Sequence, residues 1–128
     1  MSDKMLVVDD DGVMREAFSK GFSGEGYQVL TASNAEEALE IIAEEGVISV
    51  VFLDLNLPGM NGIELCREIK KRNPVSCVFA VTGHSTLFEL ADCREVGFED
   101  YFTKPARMGL LFHAAQQAFE RVHRWKSL

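Results

Sequence analysis

The most constraining feature of this chain is a pair of short, almost wholly apolar runs that each stop dead at an acid. Residues 5–8 end in Asp9-Asp10-Asp11, and residues 48–53 end at Asp54. Runs this short and this apolar read as strands covered on both faces, which is the signature of a parallel sheet sandwiched between helices. Between them the hydrophobic period changes to that of a helix. Over 12–23 the apolar residues Val13, Met14, Ala17, Phe18 and Phe22 recur at helical spacing, with Asp11 as the cap. Ser33-Asn34-Ala35-Glu36 resembles a capping box and opens a second helix with Ala35, Ala38, Leu39 and Ile42 on one face. Residues 27–32, less apolar than the other strands, read as a strand near a sheet edge.

The alternation continues to the end of the chain. Asn61, with Glu64 three residues on, caps a third helix carrying Ile63, Cys66 and Ile69, which Asn73-Pro74 ends. A fourth strand over 77–81 runs into Thr82-Gly83. A helix over 86–96 precedes Gly97, and a short strand over 101–103 leads into Lys104-Pro105. The last helix places Leu111, Ala115, Ala118, Val122 and Trp125 on one stripe. Five β-α units imply a doubly wound five-stranded parallel sheet with helices on both faces, because parallel neighbours need long right-handed crossovers. At 128 residues the whole chain, 1–128, fits one such domain, with its core over about 4–122.

Composition narrows the function. A net charge of −7 argues against direct nucleic-acid binding, and no apolar run approaches the roughly 18 residues of a membrane span. The start, Met1-Ser2-Asp3-Lys4, does not read as a signal peptide. Cys66, Cys77 and Cys93 show no metal or disulfide spacing and read as reduced small hydrophobes of a cytoplasmic protein.

Ligands of open α/β sheets sit at the carboxyl ends of the strands, and Asp9, Asp10, Asp54, Thr82 and Lys104 all fall there. Three carboxylates on one rim repel each other, and a hard divalent cation removes that conflict. Mg²⁺ takes oxygen ligands from one or two carboxylates, waters and phosphate oxygens. Asp54 can act as a nucleophile and form an acyl phosphate. Lys104 offers a positive charge, and Thr82 a hydroxyl, to the transferring phosphoryl oxygens.

Taken together these pieces resemble the receiver domain of bacterial two-component response regulators, which is CheY-like. The resemblance rests on Asp9-Asp10, on Val51-Phe52-Leu53-Asp54 with Leu57-Pro58-Gly59-Met60-Asn61-Gly62, on Val81-Thr82-Gly83, and on Tyr101-Phe102-Thr103-Lys104-Pro105. It implies the flavodoxin-like strand order 2-1-3-4-5 and a Mg²⁺-dependent phosphorylation of Asp54. Asp9, Asp10, Asp54 and the main-chain carbonyl of Asn56 would hold the metal. Thr82 would be the hydroxyl switch, Lys104 the phosphate-pairing lysine, and the Lys104-Pro105 bond cis. Tyr101 would be the aromatic that swings inward on activation; read singly, it is half-buried packing. The implied partners are a sensor histidine kinase or a phosphotransfer protein, and a homodimer through the face of the fourth helix, fifth strand and fifth helix. Ala106 and Arg107-Met108-Gly109 depart from the usual pattern on that face.

Other readings stand beside it. Asp9-Asp10-Asp11-Gly12-Val13 also fits the first motif of haloacid-dehalogenase-like phosphatases, with Asp9 as nucleophile, although the only acid after Lys104 is Glu120. A flavodoxin-like cofactor binder would share the fold, but three acids in the first loop would repel its phosphate. His84, two residues past Thr82, is either near the phosphoryl environment or an exposed loop residue. His113 and His123 read as surface. Leu128 is either a natural end or part of the start of a linker to an effector domain absent from this chain.

Overall fold

The computed structural model describes residues 3–83 and 86–126, apart from the side chains of Leu87 and Phe88. Five strands alternate with five helices: β1 (Lys4–Val8), α1 (Gly12–Gly24), β2 (Gln28–Ala32), α2 (Ala35–Glu45), β3 (Val50–Leu53), α3 (Gly62–Arg72), β4 (Cys77–Thr82), α4 (Leu87–Val96), β5 (Asp100–Thr103) and α5 (Met108–Lys126). The strands form one parallel sheet in the order β2-β1-β3-β4-β5, so the implied order is the observed one.

Every residue of β3 and β4 is buried, whereas β2 and β5, at the two edges, each leave polar residues outside. The two-residue pleat of the strands divides the core in two. Leu6, Val8, Val51, Leu53, Val78 and Ala80 face α2, α3 and α4, where they meet Ala38, Leu65, Cys66, Ile69 and Cys93. Met5, Val7, Val50, Phe52, Phe79 and Val81 face α1 and α5, where they meet Phe18, Phe22, Leu111, Ala115 and Val122. Phe52 is the hub of the second layer, with its ring centroid 4.8 Å from Phe79 and 5.0 Å from Phe22. Each fully buried side chain of this size contributes on the order of 1.5–3 kcal/mol of transfer free energy.

Three local readings need correction. In α1 the buried stripe is Phe18 and Phe22 with Met14 against it; Val13 is 78% exposed, and Ala17 is exposed too. Phe18 and Phe22 are turned into the layer shared with the sheet and α5, and Val13 and Ala17 lie off that face. The cap of α2 is Asn34, not Ser33: the Asn34 side chain accepts from the Glu37 amide at 2.8 Å. Glu37 reaches back to the amide and hydroxyl of Ser33, both at 2.7 Å, so it closes on the residue before the cap and not on the amide of Asn34, as a capping box would. Trp125 lies in the last turn of α5, beyond Val122, the last buried residue of the helix, and is 63% exposed.

Candidate functional site

Strand register brings the acids together. Val8 of β1 pairs with Leu53 of β3, so Asp9 and Asp54 leave neighbouring strands side by side. Both are buried, at 2% and 7% exposure, and Asp10 beside them is exposed. Each of the two buried acids is held by the same local device, an aspartate accepting the amide two residues ahead. Asp11 N donates to Asp9 Oδ1 and Asn56 N to Asp54 Oδ1, both at 2.9 Å. One carboxylate oxygen from each of Asp9, Asp10 and Asp54 lies within 4.8 Å of the others. Like charges at that distance repel by about 3–4 kcal/mol per pair at an effective dielectric near 20.

Lys104 answers part of this repulsion. Thr82 pairs with Thr103 across β4 and β5, and the Lys104 amide donates to the Thr82 carbonyl at 2.9 Å. The side chain then crosses the rim, and its Nζ donates to Asp54 Oδ2 at 2.8 Å and Asp9 Oδ2 at 2.7 Å. Burial pulls the ammonium pKa down, but the hydrogen bonds and charges of Asp54 and Asp9 outweigh it and leave the pKa raised. Three acidic side chains against the Lys104 ammonium and the Arg15 guanidinium, which is bound to the Asp9 main chain, leave the rim net acidic. An all-oxygen donor set with that residual charge suits a hard dication, so the residues present fit Mg²⁺.

Thr82 is fully buried and accepts a hydrogen bond from Asn56 Nδ2 at 3.4 Å. Asn56 thus reaches Asp54 through its amide and Thr82 through its side chain. The Lys104-Pro105 peptide is cis. Tyr101 is half-buried against the core layer containing Leu53 and Ala80. Beside it, Leu90, Cys93, Phe98 and Asp100 line a cavity of about 340 Å³ between α4 and β5. His84 lies outside the described residues.

Two contributors escaped sequence reasoning. Arg15 Nη1 donates to the Asp9 carbonyl at 2.7 Å. Gly62 starts α3 so close behind the site that an added Cβ would collide with the Asp54 carbonyl and lie 2.7 Å from Leu55 Cα. The only signal for Gly62 was its place in the loop motif. For Arg15 there was none, because any carbonyl can accept its bond.

The family model for the response regulator receiver domain matches residues 5–116. The chain belongs to that family. Among its relatives, the transcriptional regulatory protein AruR of Pseudomonas aeruginosa is 36% identical over 126 residues, covering 95% of this chain and 51% of that protein. Sporulation initiation phosphotransferase F of Bacillus subtilis is 34% identical over 105 residues, covering 82% of this chain and 84% of that protein. A crystal structure of a response regulator receiver domain protein from Clostridium thermocellum superposes with a TM-score of 0.90 at 32% identity, covering 96% of this chain and 98% of that one. This receiver spans about half or less of the length of several of its relatives, AruR among them.

As a receiver it is a signalling domain of two-component systems. The phosphatase alternative is not supported. In that reading Asp11 would be the free acid/base, yet its carboxylate caps α1 by accepting from Val13 N and Met14 N. Among the described residues, no helix is long and apolar enough to cross a membrane.

Proposed function

We propose that this receiver takes a phosphoryl group onto Asp54 from a histidine kinase or phosphotransfer protein and changes shape in response. The observation that carries the reading is the convergence of Asp9, Asp10, Asp54 and Lys104 on one rim. Asp54 Oδ attacks the phosphorus of a phosphohistidine, the P–N bond breaks, and the imidazole departs with the bonding electron pair. Lys104 exchanges a carboxylate for a phosphoryl oxygen as its partner, a charge-assisted contact that follows the transferring charge. Asp9, Asp10, Asp54 and the Asn56 main-chain carbonyl would hold Mg²⁺, which when bound would neutralise charge on the incoming phosphoryl.

The signal then passes through Thr82 and Tyr101. A phosphoryl oxygen offers the Thr82 hydroxyl a charge-assisted acceptor, drawing Thr82 inward, and the Tyr101 ring follows into the space that this movement vacates. The output face of α4, β5 and α5 would then engage a second copy or a downstream partner. The chain acts as one receiver unit over 1–128, catalysing only its own phosphorylation and dephosphorylation. The effector activity, as in relatives about twice its length, would belong to another domain or protein. Three free, buried thiols are in keeping with the reducing cytoplasm.

The test is incubation with acetyl phosphate and Mg²⁺. The intact protein should gain one phosphate, borohydride trapping with peptide mass spectrometry should place it on Asp54, and Asp54→Asn should not be labelled. Label on Asp9, or rapid turnover of a generic phosphomonoester, would overturn the reading.

A further inference from the structure

The hydrogen bond from Arg15 to the Asp9 carbonyl lies where the sheet ends. The Val8 carbonyl still accepts from the Asp54 amide at 3.0 Å, and the Asp9 amide still donates to the Ala32 carbonyl at 3.1 Å. Two backbone atoms further on, the Asp9 carbonyl has left the ladder, and Arg15 reaches back from the first turn of α1 to hold it at 2.7 Å. With Asp9 Oδ1 bound to the Asp11 amide and Oδ2 to Lys104, every polar group of Asp9 is tied down.

That carbonyl is half of the peptide joining Asp9 to Asp10, so fixing it fixes the plane from which Asp10 springs. Asp10 needs such help. Its side chain is exposed, and among the described residues no hydrogen bond from another residue orients it. Among the described residues, its place beside Asp9 and Asp54 is therefore set through the main chain.

We propose that Arg15 is a positioning residue of the Mg²⁺ site, fixing the Asp9–Asp10 peptide so that the Asp10 carboxylate faces the other two acids. This rests on the reading of the three acids as a Mg²⁺ site. A bare charge effect has the opposite sign. A guanidinium beside the acids repels a dication, so its removal would tighten Mg²⁺ binding, whereas loss of a positioning bond weakens it. Part of the Arg15 charge is moreover directed at Glu37, whose carboxyl is held low first by the Ser33 hydrogen bonds and then by Arg15.

The experiment is a Mg²⁺ titration of the whole chain, followed by amide and carbonyl NMR shifts of residues 9–11, for wild type, Arg15→Met, Arg15→Lys and Asp10→Asn. Arg15→Met should weaken Mg²⁺ about tenfold, the lower range for loss of an outer-shell partner. Even without metal it should shift the Asp9 carbonyl and Asp10 amide signals while leaving the far end of the sheet unchanged. Arg15→Lys, which keeps the charge and a donor, should recover part of the affinity; if Arg15→Met does not fold, Arg15→Gln takes its place. Unchanged or tighter binding in Arg15→Met, with Asp10→Asn weakened, overturns the role of Arg15 alone. If wild type does not bind Mg²⁺, or Asp10→Asn binds like wild type, the Mg²⁺ reading falls and this inference with it.

Discussion

The ammonium of Lys104 lies 2.8 Å from the carboxylate of Asp54, a residue 50 positions away in the chain. The same nitrogen also holds Asp9, so one side chain ties the ends of β1, β3 and β5 together across the rim. At rest, Lys104 is the counter-ion for the two buried acids, and that role has measurable consequences.

Replacing Lys104 with Met leaves Asp9 and Asp54 facing each other in a largely buried setting. Urea unfolding should show a loss of about 1–3 kcal/mol at neutral pH. Millimolar Mg²⁺ should restore more stability to Lys104→Met than it adds to wild type, since the dication supplies the missing charge. The pH dependence follows from the raised ammonium pKa. The stabilisation is complete below the ordinary lysine value of 10.5 and disappears only as pH rises through the raised value. The stability gap between wild type and Lys104→Met should therefore be flat around neutrality and close in strong alkali. A gap that closed between pH 6 and 8 would contradict the assignment.

Gly62→Ala should damage both stability and chemistry. The new methyl meets the end of the Leu53 side chain but also backbone, the Asp54 carbonyl and Leu55 Cα, which cannot swing aside as a side chain can. Either α3 or the phosphoacceptor loop must shift, at a cost of about 1–3 kcal/mol. Phosphorylation by acetyl phosphate should slow as well, measured by the rate of phosphate incorporation. A variant as stable and as fast as wild type would mean that the contact relaxes without moving Asp54.

Thr82→Ala removes the hydroxyl that Asn56 touches and that a phosphoryl oxygen would recruit. The variant should still accept phosphate on Asp54. With beryllofluoride, however, its Tyr101 ring signals and the hydrogen exchange of α4 should change much less than in wild type. A full wild-type response would show that coupling bypasses this hydroxyl, leaving Tyr101 as packing.

Cys66 should be inert in the folded protein. Burial pushes its thiol up to about 12, and burial likewise raises Cys77 and Cys93, so almost no thiolate is present at pH 8. A disulfide-exchange reagent should label all three in urea and label the native chain only at the rate of its unfolding. Prompt native labelling of Cys66 would contradict its place between α3 and the sheet.

What sequence alone determined here is everything carried by residue type and short-range period. The five β-α units, the buried β1 and β3, the edge character of β2, and the acids, hydroxyl and lysine at strand ends were all legible, because strand pleat and helix turn act over a few residues. The fine placement of elements was less so. Ser33 and Asn34 are both good caps, and which one serves depends on where the chain leaves β2. Val13 and Trp125 fit an apolar stripe by spacing, but exposure depends on how far the neighbouring layer extends. Only tertiary structure decided that Lys104 binds Asp9 and Asp54 at once, that Asn56 reaches Thr82, that Arg15 holds the Asp9 carbonyl, and that Gly62 presses on Asp54. Those contacts join main-chain atoms, common to every residue, or side chains as many as 95 positions apart, and strand order and register bring them together.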